Sequence, residues 1–65
     1  MNFGKTIKFA REQLSLSQEM LARELGVSFA TINRLENSKT EPSYKTIKKF
    51  EDFCKRNKIK IEELS

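Results

Sequence analysis

This 65-residue chain has no histidine and a single cysteine, Cys54. Without histidine, and with one thiol, a zinc site is not expected, and no internal disulfide can form. The absence of histidine also removes the usual general base, and no serine, lysine or carboxylate spacing suggests a nucleophile–base pair, so no catalytic residue and no cofactor is expected. No apolar run approaches the length of a membrane span, and the N-terminus lacks the apolar core of a signal peptide. One unpaired thiol suits a reducing compartment, so the expected location is the cytoplasm, with no membrane partner and no small-molecule ligand. There is no repeat, low-complexity tract or interdomain linker. Residues 1–65 read as one domain, small enough to need well-formed helix packing or a partner.

What the chain does have is positive charge, +4 in total. Residues 1–13 carry Lys5, Lys8 and Arg11 against Glu12, a balance of +2, and residues 14–36 carry a balance of −1. Residues 37–49 carry Lys39, Lys45, Lys48 and Lys49 against Glu41, a balance of +3, and residues 50–65 are neutral. Basic segments at these places suit contacts with phosphate; a solvated basic surface is the alternative that charge alone leaves open.

Helical periodicity runs through most of the sequence. Phe3, Ile7, Ala10 and Leu14 recur at steps of three and four, which predicts an amphipathic helix over about 3–13. Phe9 lies off that stripe, as a flank of the core or an exposed apolar spot. Ser15-Leu16 ends this helix and Ser17 caps the next, expected over about 18–25. Gly26 permits a reversal, and a third helix is expected over about 28–36 with Ser28 at its cap. Asn37 to Pro42 reads as a loop. Ser43 caps a fourth helix to about Asn57, whose expected apolar stripe is Tyr44, Ile47, Phe50 and Cys54, widened by Phe53. Cys54 is therefore expected in the core. Ile61 to Leu64 is expected to form a fifth helical turn.

The stretch Leu16 to Glu36 has the build of a helix-turn-helix. Leu21, Ala22 and Leu25 line one face of the first helix, with Ala22 small enough for a close crossing. Ile32 and Leu35 line one face of the second, which in such a motif lies in the DNA major groove. The run Leu16-Ser17-Gln18, then Leu21-Ala22, Leu25-Gly26-Val27-Ser28, Ile32-Asn33-Arg34 and Leu35-Glu36-Asn37, resembles the phage-repressor and Cro-like (Xre) family. The resemblance is close from about Phe3 to Pro42 and looser beyond. It implies an all-α, compact bundle of five short helices, a lambda-repressor-like DNA-binding domain.

The resemblance also implies roles for particular residues. Ser28, Phe29, Ala30 and Arg34 would face bases, with Thr31 and Asn33 near the edge of the groove. Arg34 suits guanine and Asn33 suits adenine, each through two hydrogen bonds. Phe29 and Ala30 depart from the polar residues often found there and would touch a thymine methyl; for Phe29, a core or dimer role is the competing reading. Ser17, Gln18, Asn37, Lys39, Thr40 and Lys45 would contact the backbone, Gln18 also bridging to a side chain of the third helix. Lys48 and Lys49 could add nonspecific attraction or simply be solvated. Ser38 replaces a glycine common in the family.

An ion pair between Arg11 and Glu36 is expected on two grounds. A carboxylate near a helix C-terminus needs a compensating cation, and the family pattern places the two together. The function expected is sequence-specific double-stranded DNA binding by a small transcriptional regulator, a repressor acting as a weak or DNA-assisted homodimer. The alternatives are a recognition module of a larger protein, an antitoxin, or a protein–protein adaptor using Phe9, Phe29 and Phe53.

Overall fold

The computed structural model describes residues 3–37 and 39–60. Four helices follow one another: α1 Phe3–Gln13, α2 Gln18–Leu25, α3 Phe29–Glu36 and α4 Tyr44–Arg56. Each of the last three starts on a serine with extended backbone. Ser17, Ser28 and Ser43 accept a hydrogen bond from the backbone N–H three residues on, satisfying a donor the helix leaves open.

Helices α1, α2 and α4 stop in the same way. Ser15, Gly26 and Lys58 take left-handed backbone, with φ of 55°, 69° and 57°. The N–H of the next residue then reaches back five positions: Leu16 to Arg11, Val27 to Ala22 and Ile59 to Cys54, at 3.0, 3.0 and 2.9 Å. That bond closes the helix end and turns an apolar side chain inward, and Leu16, Val27 and Ile59 all pack against the core. Lys39 makes the same five-residue reach to Arg34, at 2.9 Å.

The core gathers Ile7 and Ala10 from α1, Leu21, Ala22 and Leu25 from α2, Ile32 and Leu35 from α3, and Phe50, Phe53 and Cys54 from α4. Phe50 sits fully buried at its centre, edge-on to Phe3 at 5.5 Å between ring centres and stacked near Phe53 at 6.5 Å. Burying side chains of this size stabilises by about 1.5–3 kcal/mol each. Helix α3 packs against both α1 and α2, and α4 closes the bundle against α2.

Two expectations about the second half are corrected. The fold is four helices among the described residues, not five. Ile61 to Leu64, where a further turn was expected, lie outside the described residues, and at that end of the core Ile59 supplies the apolar cover. The stripe of α4 is also rotated from the expected one. Thr46, Phe50, Phe53 and Cys54 are buried and Ile47 is half-buried, whereas Tyr44 is 77% exposed. Thr46 tolerates burial because its hydroxyl pairs with that of the cap Ser43 at 3.0 Å.

Candidate nucleic-acid interface

Helix α3 enters from the turn Gly26-Val27-Ser28 and buries Ile32 and Leu35. Its opposite face therefore points away from the protein. Phe29, Ala30, Arg34 and Asn37 are exposed on that face, and Asn33 is half-buried beside them. These positions recur at three and four residues, so they form one continuous strip. Arg34 pairs with no carboxylate among the described residues.

The strip is held in place by a network of polar side chains that joins three helices. Arg11 of α1 donates from Nε and Nη2 to the two oxygens of Glu36, at 2.8 and 2.9 Å, and from Nη1 to the Leu16 carbonyl at 3.0 Å. Gln18, the first residue of α2, donates from Nε2 to Glu36 Oε1 at 3.0 Å. Its own carbonyl oxygen accepts from Asn33 Nδ2 at 3.1 Å, and Asn33 Oδ1 accepts from Asn37 Nδ2 at 3.2 Å. The Glu36 side chain is 4% exposed and that of Arg11 16%. A charge so far from water needs this full set of partners, and no buried side-chain polar atom among the described residues lacks one. Burial is the strongest single influence on the Glu36 pKa and would raise it. The hydrogen bonds from Arg11 and Gln18, with the charges of Arg11 and Lys8, outweigh burial and hold the carboxyl below its ordinary value of 4.5.

The remaining sequence-derived site residues lie as follows. Ser17 and Ser28 use their hydroxyls as helix caps, and Ser28 Oγ also pairs with Thr31 Oγ1 at 2.9 Å. Lys39, Thr40 and Lys45 are exposed in and after the loop that follows α3. Ser38 lies outside the described residues. Phe53 is 1% exposed, so it cannot form part of an adaptor surface; Phe9 and Phe29 are each about half exposed. A shallow concavity at the start of α2 is lined by Arg11, Ser17, Gln18, Glu19 and Phe29.

Sequence reasoning assigned Asn33 and Asn37 to DNA and expected Gln18 to bridge to a side chain of the third helix; that side chain is Asn33, and the further link to Asn37 was not expected. The signal for one link was present, because residues four apart on a helix are neighbours. The link from Gln18 to the third helix spans two helices and was implied by the family resemblance, which left open that its partner is Asn33. Asn33 keeps one amide hydrogen and one carbonyl lone pair for other partners.

A search of curated proteins and a search of solved structures each returned no match. A family model described as helix-turn-helix, HTH_3, matches residues 7–64. That span holds the helix pair α2–α3, the tight turn at Gly26 and nearly all of the core, and the chain belongs to this Xre/lambda-repressor-like family of DNA-binding helix-turn-helix domains.

Proposed function

We propose that the protein is a transcriptional regulator, a repressor that reads one half-site of an operator in double-stranded DNA with the exposed face of α3. The observation that carries this reading is the pairing of an outward strip, Phe29, Ala30, Asn33 and Arg34, with a network that fixes its orientation on α1 and α2. A reading helix must be held rigidly, because each base contact depends on sub-ångström placement. Ser28 and Thr31 flank the bases at the helix N-terminus. Gln18, Asn37, Lys39, Thr40 and Lys45, with the α2 start at Ser17, clamp the phosphates on either side. The cytoplasm is the working compartment, and no cofactor takes part.

Two copies on neighbouring half-sites place their reading helices about 34 Å apart, one turn of the duplex. Among the described residues the large apolar side chains left exposed, Phe9, Met20, Phe29 and Tyr44, sit one on each helix and make no single extensive dimer face, so the pairing is weak without DNA. Selection of bound duplexes from a random pool tests the whole reading. A palindromic consensus supports it, and recovery of unrelated sequences overturns it. In sedimentation without DNA the protein should run as a monomer at micromolar concentration; a tight dimer there would contradict DNA-assisted pairing.

A further inference from the structure

The outward strip of α3 has two chemically different halves, one helical turn apart. The first, Phe29 and Ala30, is apolar and exposed; Phe29 is 49% exposed. The hydroxyls beside it are already engaged, since Ser28 Oγ accepts from the Thr31 N–H and pairs with Thr31 Oγ1. The second half, Asn33 and Arg34, is polar, and Asn33 is pinned between Gln18 and Asn37. The first half thus presents a phenyl ring and a methyl where a hydrogen-bonding side chain would be needed to read a purine. On a major-groove edge the one apolar group is the C5 methyl of thymine. The same methyl stands at the same ring position in 5-methylcytosine.

Resting on the DNA-reading role proposed above, we propose that Phe29, flanked by Ala30, reads a pyrimidine C5 methyl, so that this part of the site recognises the methyl group and not thymine as such. Arg34 sets the second element, a guanine. Phe29 and Arg34 are five residues apart, an advance of about 7.5 Å along a helix, and successive bases are about 3.4 Å apart. The methylated pyrimidine and the guanine therefore lie about two base pairs apart in each half-site. The fixed Asn33 amide keeps α3 from sliding to another register.

The test uses the whole chain and a duplex selected from a random pool. At each thymine of the half-site, four versions are compared: thymine, uracil, cytosine and 5-methylcytosine. At one or two positions about two base pairs from the guanine that Arg34 reads, thymine should bind about fourfold better than uracil, and 5-methylcytosine better than cytosine by the same factor. Phe29→Ala, an exposed change whose fold is checked by circular dichroism, should bring both ratios to one, and Phe29→Leu should keep part of each. A ratio of one at every position in wild-type protein, on a duplex it still binds specifically, overturns the methyl reading alone. Persistence of both ratios in Phe29→Ala does the same. Failure to select any duplex overturns the DNA-reading role itself and this inference with it.

Discussion

Arg11 and Glu36, twenty-five residues apart in sequence, meet through two parallel hydrogen bonds of 2.8 and 2.9 Å. The fork of a guanidinium matches a carboxylate in this geometry, and the match ties the end of α3 to α1. Because Gln18 donates to the same carboxylate and Asn33 in turn donates to Gln18, one ion pair sets both the stability of the bundle and the orientation of its outer helix.

Removing one partner should therefore be costly. Arg11→Met strands a carboxylate that is 4% exposed, and about 3 kcal/mol of stability should be lost. Urea denaturation measures this directly. A loss below about 1 kcal/mol would mean that the pair behaves as a solvated surface contact. The double change Arg11→Met with Glu36→Leu should cost less than the two single changes added together.

Acid should weaken the fold through the same carboxyl. Glu36 has its pKa lowered on folding from its ordinary 4.5, so near and below that pH the unfolded chain takes up a proton that the folded chain refuses. Its stabilising contribution is complete above that value and is lost as pH falls through the lower folded value. Urea midpoints measured from pH 7 to pH 3 should drop at the acid end, and Glu36→Gln should flatten that part of the curve. An unchanged acid slope in Glu36→Gln would assign the effect to other carboxylates.

Two helix ends carry removable strain. Ser15 and Lys58 hold left-handed backbone with φ of 55° and 57°, a region that costs a residue with a Cβ roughly 1–2 kcal/mol. Ser15→Gly and Lys58→Gly should each gain about 0.5–1 kcal/mol after the added freedom of the unfolded chain is counted. Gly26→Ala should lose about 1 kcal/mol. A Cβ at Gly26 meets nothing within 4 Å, so the loss comes from its φ of +69° alone. Thermal melts of the three variants check the signs.

Lys39 stands exposed just beyond α3, where its N–H closes onto the Arg34 carbonyl at 2.9 Å. As a phosphate contact, Lys39→Ala should weaken binding to all duplexes alike and reduce the slope of log affinity against log salt by about one. An unaltered slope would remove Lys39 from the interface.

Helix boundaries were readable in the sequence because their signals are local. Ser17, Ser28 and Ser43 cap the helices they precede, and Gly26 is the residue expected where the chain reverses. The ion pair was readable because a carboxylate at a helix end demands a cation and the family pattern names one. Three things were not. Tyr44 carries an aromatic at a stripe position yet is exposed, while Thr46 is buried, because the cap Ser43 satisfies the threonine hydroxyl and lets α4 roll onto Phe53. Ser15 and Lys58 turn the chain left-handed without glycine, since the inward packing of Leu16 and Ile59 offsets the strain. Gln18 was expected to bridge to the third helix, but that its partner is Asn33, a residue assigned to the DNA edge, depends on the α2–α3 crossing, which no spacing along the chain encodes.

The central claim, that the outward face of α3 reads bases, is tested most directly by Arg34→Ala. The measurement is its affinity, beside wild type, for a selected duplex and for a scrambled duplex at one salt concentration. Wild type should favour the selected duplex by at least about 10³-fold. The variant should lose about 1–3 kcal/mol on the selected duplex, tolerate any base at one position, and bind the scrambled duplex nearly as well as wild type does. Equal losses on both duplexes, with preference at every base pair intact, would make Arg34 a phosphate contact and contradict the account.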